Sequence, residues 1–344
     1  MRSRVIGGEF ELRAIPEPMQ RPSGYYCYAS GRAALYQILM SIKLRTFKVW
    51  LPGWLCESMI DAVKRAGLDY GFYELGADLR MDVGRFVEKN RPVSENDVIV
   101  LVNYFGMVDI EETIAELHSL KVGSVIVEDD VQALFSFLDN KATHLADYRF
   151  TSLRKTIAAP DGGLVCTKRQ MLLAQNKNTF AAYKLKGALV KGAADETTDD
   201  GEYLALFEKG EDLIENNYES KMSGEASAIL AGTNFEEVAK KRRENARYLT
   251  SKLEELGVEP LLKCTDNQVP LFVPIVIDNR DKVRRELRRS GIFCPVHWPL
   301  RKDMEALPMG RRMAEKELSL VIDQRYHQED MDSIVQVLKD TLWK

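Results

Sequence analysis

Short apolar segments alternate with amphipathic segments along the first half of the chain. The apolar segments lie at residues 49–51, 70–73, 98–102 and 125–127. Each is bounded by turn residues and has the length of a buried β-strand. Apolar residues at helical spacing follow Ser30 and recur over residues 56–66 and 110–120. This alternation predicts an α/β fold with a large, mostly parallel sheet and helices on both faces.

The second half of the chain is less regular. Residues 162–166 and 271–277 are typical of strands, and residues 281–290 and 328–342 are typical of helices. A long helical region is predicted from about residue 222 to residue 256. The run 187–210 is polar and acidic, so we expect an exposed loop or an insertion there.

These elements predict three parts. Residues 1–24 contain three prolines and form an N-terminal arm. Residues 25–222 form the large domain. Residues 223–344, which include the long helix as a linker, form a smaller C-terminal α+β domain.

Composition narrows the class of protein. Of 344 residues, 45% are hydrophobic and 29% are charged, which is ordinary for a globular chain with a sizeable core. The net charge of −4 predicts no general attraction to nucleic acid or to an anionic membrane. No apolar run approaches the ~20 residues of a membrane span, and the first residues lack the apolar core of a signal peptide. We therefore expect a cytoplasmic protein.

Cysteine and histidine spacing argues against a metal site. The five cysteines are scattered with no C-x-x-C pair, and the four histidines, among them His144, are far apart. Neither pattern is typical of a zinc site or a disulfide framework.

The most specific candidate chemistry is centred on Lys155. The strand at 125–127 ends in Glu128, Asp129 and Asp130, and a Ser-x-x-Lys sequence then places Ser152 before Lys155. This order is typical of a site for pyridoxal 5'-phosphate (PLP), in which a lysine forms the Schiff base. The cofactor needs an acid beside its pyridine nitrogen, and Asp129 is the candidate, although the local pattern does not choose among the three acids.

Other parts of the chain supply the remaining contacts of such a cofactor. Gly31 and Arg32, after the capping Ser30, begin a helix whose N-terminal N–H groups suit a phosphate. Ser152 offers a hydroxyl to the same phosphate. Gln132 is the candidate donor to the 3-hydroxyl of the ring, and Trp54 is the candidate aromatic over its face.

Together these motifs resemble the DegT/DnrJ/EryC1/StrS aminotransferases, the sugar aminotransferase group of fold type I PLP-dependent enzymes. The resemblance rests on Ser-Gly-Arg-Ala-Ala-Leu at 30–35, Glu-Asp-Asp-Val-Gln-Ala at 128–133, and Ser-Leu-Arg-Lys at 152–155 followed by Asp-Gly-Gly at 161–163. Asn-Tyr-Phe-Gly at 103–106 and Pro-Val-His-Trp at 295–298 fit more loosely.

The resemblance implies a role for each of these residues. Lys155 is the Schiff-base lysine and proton shuttle, Asp129 is the partner of the pyridine nitrogen, and Gln132 contacts the ring. The phosphate ligands are Gly31, Arg32 and Ser152. Trp54, or Cys56 two positions later, is the stacking residue. The family also implies a homodimer with shared active sites and an amino donor, most simply glutamate, that serves a keto-sugar acceptor.

Substrate-side residues follow less directly from the pattern. His297 and Tyr104 are candidates, and so is Asn217, which begins Asn-Tyr-Glu-Ser-Lys-Met where relatives carry Asn-Tyr-Arg-Met. The Phe-Thr-Ser-Leu-Arg-Lys sequence at Lys155 also departs from the usual Ser-Phe-His-x-x-Lys. These departures indicate a divergent branch. They leave open another PLP reaction (dehydration, lysis or acyl transfer) or a binding protein that has lost catalysis, although deoxygenating relatives carry histidine in place of the lysine.

Overall fold

The computed structural model describes residues 5–90, 92–139, 145–195 and 199–343. His144 and residues 196–198 of the predicted acidic loop lie outside these ranges. The strands are β1 (Ile6–Gly7), β2 (Tyr26–Tyr28), β3 (Lys48–Pro52), β4 (Asp69–Tyr73), β5 (Val98–Val102), β6 (Val125–Asp129), β7 (Tyr148–Ser152), β8 (Gly163–Cys166), β9 (Phe272–Val276), β10 (Ile292–Phe293) and β11 (Glu317–Val321). The helices are α1 (Gly31–Ile42), α2 (Glu57–Arg65), α3 (Val83–Lys89), α4 (Ile110–Ser119), α5 (Leu134–Leu138), α6 (Ala181–Gly192), α7 (Asp200–Ile214), α8 (Gly224–Gly232), α9 (Phe235–Glu255), α10 (Arg280–Arg289), α11 (Pro308–Lys316) and α12 (Gln328–Leu342).

Seven of the described strands form one sheet in the order β2-β8-β7-β6-β5-β3-β4. The pairs from β4 through β7 are parallel, whereas β8 pairs antiparallel with β7 and β2. β5 has the sequence Val-Ile-Val-Leu-Val and is buried at every position, as expected for a strand covered on both faces. The predicted α/β fold with a mostly parallel sheet is confirmed.

The sheet brings two distant segments to one edge. Parallel β6 and β7 pair in register, with Asp129 opposite Phe150, so both strands end on the same side. β7 is followed at once by a 3₁₀ turn over Leu153–Lys155. The carboxyl ends of parallel strands are where α/β sheets place their ligands.

The C-terminal part has a core of its own. Antiparallel β9 and β11 pack with α9, α10 and α12 around buried apolar side chains such as Ile275 and Leu287. Ile6 belongs to the same core, because β1 pairs with β10. The start of the segment predicted as an arm therefore packs on the C-terminal part of the chain, whereas Leu12 N donates to Ala188 O on α6. The division at residues 222 and 223 remains a prediction.

The predicted loop over residues 187–210 is wrong for most of its length. α6 and α7 pack against each other at two glycines. A Cβ on Gly187 would lie 3.2 Å from the ring of Phe207, and one on Gly210 would lie 2.8 Å from Lys184 Cγ. The glycines and acidic residues suggested a loop, but the small residues instead let two helices approach closely.

The predicted long helix from residue 222 to residue 256 is two helices. α8 ends before Thr233, whose backbone is extended, and Asn234 then caps α9 by accepting a hydrogen bond from Glu237 N at 3.2 Å. Asparagine competes with helical hydrogen bonding in this way, which apolar spacing alone does not reveal.

Gly163 carries a stability prediction. A Cβ at this position would lie 2.1 Å from Ser30 O, at the start of α1, so the backbone must move to admit one. We expect Gly163→Ala to lower the free energy of unfolding by about 1–3 kcal/mol. Gly232→Ala is the matched control, because a Cβ there meets nothing within 4 Å, and its effect should stay within about 0.5 kcal/mol. Equal urea midpoints for the two variants would contradict the close contact.

Candidate active site

The ends of β6 and β7 and the start of α1 surround a cavity of about 150 Å³. Its lining includes Gly31, Arg32, Asp129, Gln132, Ser152 and Lys155. These six residues were predicted for one site from three separate stretches of sequence. The tertiary structure brings them together.

The N-terminus of α1 forms one wall of the cavity. Ser30 Oγ accepts a hydrogen bond from Ala33 N at 3.1 Å and caps the helix. A Cβ on Gly31 would lie 3.0 Å from Val131 Cγ2 and 3.2 Å from Ser152 Cβ, so glycine permits the close approach of helix and strand. No acidic residue lies in the first turn of α1. The wall is therefore suited to an anion such as a phosphate.

Among the described residues, the buried donors Arg32 Nη1 and Gln132 Nε2 in the cavity wall have no hydrogen-bond acceptor. Arg32 Nη1 lies 3.9 Å from Glu215 Oε1, which is too far for a hydrogen bond. Gln132 Oε1 accepts from Phe105 N at 3.0 Å, whereas its Nε2 is unpaired. An unsatisfied buried donor costs about 1–3 kcal/mol, so each indicates an oxygen supplied by a ligand. The phosphate and the 3-hydroxyl oxygen of PLP fit these two positions.

The structure separates the three acids that the sequence left equivalent. Glu128 and Asp130 both pair with Arg149, at 3.0 Å and 2.7 Å. Only Asp129 of the three lines the cavity. Its Oδ1 accepts a hydrogen bond from Val131 N at 2.8 Å.

Asp129 is poised for a cationic partner. Burial raises the pKa of its carboxyl group to about 7, although the Val131 N–H and the charge of Lys155 act in the opposite direction. A positive charge placed against the carboxylate would stabilise its ionised form. A protonated pyridine nitrogen is such a charge, so Asp129 also fits the cofactor.

Lys155 lies at the opening of the cavity. Its turn is held by a hydrogen bond from Leu153 N to Gly162 O at 3.0 Å, and Gly162 has a φ of +113° that favours glycine. Within the described ranges the Lys155 ammonium group makes no hydrogen bond or salt bridge, and the residue is exposed. The side chain is therefore available to a ligand.

The structure does not bring Trp54 to the cavity wall. Its ring is buried and stacks on Tyr104, with centroids 5.2 Å apart, and its Nε1 donates to His297 O at 3.1 Å. The ring of Trp298 packs against Trp54, with centroids 4.9 Å apart, and Trp298 lines the cavity in its place. Cys56, the alternative position for the stacking residue, also lines it.

The three substrate-side candidates occupy different surroundings. His297 is buried, with Nδ1 3.1 Å from Ser319 Oγ, and it lines a second, larger cleft that also reaches Lys155. Tyr104 is fully buried and donates its hydroxyl to Trp54 O. The Nδ2 group of Asn217 donates to Thr179 Oγ1 at 2.8 Å and to Leu213 O at 2.7 Å. Tyr104 and Asn217 therefore do not reach the cavity.

Sequence reasoning missed the part of the site on α7. Glu211 lines the cavity and binds Lys184 Nζ at 2.7 Å and Arg154 Nη1 at 3.1 Å. Burial opposes ionisation, yet the two cations hold the pKa of Glu211 down to about 2. Glu211 thus ties α7 to the turn of Lys155. The helical spacing of Phe207, Gly210 and Ile214 was the available signal.

The sequence matches the DegT/DnrJ/EryC1/StrS aminotransferase family over residues 78–339, which is most of the chain. The chain belongs to this family. Membership confirms the predicted enzyme class, a PLP-dependent aminotransferase, and with it the cofactor. A search of curated protein sequences gives no significant match.

Three solved structures illustrate the fold shared with this DegT-family chain. A DegT/DnrJ/EryC1/StrS aminotransferase from Brucella abortus is 18% identical, with a TM-score of 0.66 over 92% of this chain and 85% of its own. A sugar aminotransferase from Micromonospora echinospora is 18% identical, with a TM-score of 0.63 over 92% and 87%. An Escherichia coli GDP-4-keto-6-deoxy-D-mannose-3-dehydratase with bound hydrated PLP is 16% identical, with a TM-score of 0.67 over 92% and 87%.

Two further observations concern metals and membranes. Across the described ranges, no cluster of three histidine, cysteine, aspartate or glutamate side chains could hold a metal ion. Among the helices of that same part of the chain, none has the length and apolar character needed to span a bilayer.

Proposed function

We propose that this enzyme transfers the amino group of glutamate to a keto sugar, with Lys155 and Asp129 as its catalytic residues. The cavity supports the proposal, because it joins Lys155, the buried carboxylate of Asp129, and the donors Arg32 Nη1 and Gln132 Nε2, which have no hydrogen-bond acceptor in the part of the chain that the structure describes. PLP bound there supplies an electron-withdrawing ring that stabilises the negative charge left when a substrate carbon loses its proton.

The residues of the cavity divide the work. With PLP bound, Asp129 would keep the pyridine nitrogen protonated, and Gln132 Nε2 would donate to the ring oxygen. The N–H of Gly31, the guanidinium of Arg32 and the hydroxyl of Ser152 would hold the phosphate. Lys155 Nζ would take the proton from the substrate carbon and hold it for its return.

The acceptor is assigned to the larger cleft beside the cavity. This cleft has a volume of about 520 Å³, within the usual range for small-molecule sites, and it contains His297 and Lys155. A sugar in the cleft could therefore present its carbonyl carbon to Lys155 while His297 contacts its hydroxyl groups. Trp54 packs against Trp298, which lines the cofactor cavity, so Trp54 supports that cavity indirectly.

Assembly and context form part of the same proposal. We expect a cytoplasmic homodimer that completes each site with the neighbouring subunit and acts in amino-sugar or polysaccharide biosynthesis. The exposure of Lys155 in the single chain supports a covering partner. Light scattering of the purified enzyme tests the dimer, and a monomer at working concentration would contradict it.

Mixing the PLP-loaded enzyme with glutamate alone tests the amino donor. We expect one 2-oxoglutarate per bound cofactor, measured by mass spectrometry, because the first half-reaction needs no acceptor. D-Glutamate is the control, since the site should discriminate between the enantiomers. Absence of 2-oxoglutarate would reject glutamate as the donor. If none of the amino acids tested is converted to its keto acid, a binding role would be favoured.

A further inference from the structure

The cleft beside the cavity has a strongly positive wall. Its charged lining consists of Arg154, Lys155, Arg242, Arg284, Arg288 and Arg325, opposed by Glu9 and Asp323. We call this surface the arginine cleft. Six cations face two carboxylates, and this imbalance contrasts with a chain whose net charge is −4.

The two acids do not neutralise the cleft. Asp323 forms a salt bridge with Arg325 at 2.8 Å. Glu9 forms one at 3.1 Å with Lys184, which does not line the cleft. Arg154 is paired with Glu211. Arg242, Arg284, Arg288 and Lys155 have no salt bridge among the described residues.

Arg242 forms the base of the arginine cleft and is 1% exposed. Its three acceptors are neutral oxygens: Gln324 Oε1 at 2.9 Å, Leu271 O at 3.1 Å and Thr156 O at 3.4 Å. Burial lowers the pKa of Arg242 to about 10, although the charge of Asp323 acts in the opposite direction. Within the described residues, Arg242 forms no salt bridge with a carboxylate. A buried charge of this kind is expensive unless another ion offsets it.

Arg284 and Arg288 stand one helical turn apart on α10, so their side chains share a face. Like charges at this spacing destabilise an isolated helix by about 0.2–0.5 kcal/mol. Arg284 Nε is also buried and has no hydrogen-bond partner. The two guanidinium groups therefore have no carboxylate partner within the described ranges.

We propose that the arginine cleft is an oxyanion subsite that binds a phosphate or carboxylate group of the amino acceptor, with Arg284 and Arg288 as its principal ligands. Guanidinium groups bind such oxygens in a bidentate manner, and a neutral sugar would leave these charges unpaired. The assignment to the acceptor rests on the proposed function, because the cleft shares Lys155 with the cofactor cavity. The prediction that the cleft binds an anion does not depend on the proposed function.

Calorimetric titration of the PLP-loaded enzyme with inorganic pyrophosphate and with glutarate tests the subsite. The loaded form is used so that the phosphate site at α1 is already occupied. We expect Arg284→Gln/Arg288→Gln to weaken binding of the preferred anion by about tenfold or more. Arg285→Gln is the matched control on the same helix, exposed and outside the cleft, and it should change the affinity by less than about twofold.

The two anions distinguish the source of the oxyanion. Stronger binding of pyrophosphate indicates a phosphorylated acceptor, and stronger binding of glutarate indicates an acidic one. Binding of neither, or equal affinities in the wild type and the double variant, overturns the proposal. Arg284→Lys/Arg288→Lys, which keeps both charges, should restore part of the affinity if the double glutamine variant is poorly folded.

The donor half-reaction separates this proposal from the proposed function. We expect the double glutamine variant to produce 2-oxoglutarate from glutamate with an unchanged half-saturation concentration. A higher half-saturation concentration for glutamate, with no change for the acceptor, would assign the cleft to the donor and reject the acceptor subsite. If the wild-type enzyme forms no 2-oxoglutarate from glutamate but binds pyrophosphate through Arg284 and Arg288, only the proposed donor is rejected.

Discussion

Replacing Lys155 by alanine should lower turnover by at least about 10³-fold, because the side chain that we propose carries the proton is lost. Lys155→Arg should be equally inactive, since a guanidinium group keeps the charge but does not give up its proton near neutral pH. Folding should not change, because the ammonium group makes no hydrogen bond or salt bridge within the described residues and the residue is exposed. Both variants should unfold at the wild-type temperature when the cofactor is absent.

The covalent link provides a direct measurement for Lys155. Borohydride reduction followed by peptide mass spectrometry should locate the cofactor on Lys155 in the wild type and on no peptide in Lys155→Ala. Lys240→Ala is the control, because Lys240 lies exposed on α9, with 76% of its side chain accessible. Labelling of another lysine in the wild type would remove Lys155 from its role.

Asp129→Asn should have the second largest effect. It should impair the PLP-loaded enzyme but stabilise the protein without the cofactor. If Asp129 pairs with the pyridine nitrogen as we propose, the change removes one partner of a buried ion pair in the loaded enzyme, which typically costs about 3–5 kcal/mol. We therefore expect turnover and cofactor affinity together to fall by about 10²- to 10³-fold. Absorbance titration with PLP and steady-state rates measure the two effects.

Without the cofactor, the same substitution should stabilise the protein. The pKa of Asp129 is raised from 3.8 to about 7, so the folded state holds a proton that the unfolded state releases between these values. The stability of the wild type accordingly falls as pH rises from about 4 to about 7 and stays low above it. Asparagine carries no such penalty, and at pH 8 the variant should be more stable by up to about 4 kcal/mol.

Urea denaturation at pH 5 and pH 8 tests this difference. Asp161, whose pKa burial also raises to about 7, contributes equally to both proteins and cancels in the comparison. The gap between variant and wild type should therefore widen with pH. A gap independent of pH would show that Asp129 is ionised or protonated to the same extent in the folded and unfolded states.

The family and the chemistry of the site were accessible from the sequence because they depend on short local patterns. A strand that ends in an acid, a Ser-x-x-Lys sequence and a Ser-Gly-Arg helix start can each be recognised without coordinates. Apolar spacing likewise predicted strands β3 to β6 and the bounds of α12. β7 was not predicted as a strand, because its sequence contains the charged residue Arg149. That strand can be buried because Arg149 pairs with Glu128 and Asp130.

Long-range packing decided the rest. The sequence by itself determined which residue types could bind the cofactor, since motif order is fixed by the covalent chain. Only the tertiary structure chose Asp129 over its neighbours, placed Trp298 rather than Trp54 at the cavity, and folded the acidic run into α6 and α7. It also gathered the arginine cleft from β1, α9, α10 and the turn of Lys155. Such choices depend on contacts between residues far apart in sequence, and local spacing does not encode these distances.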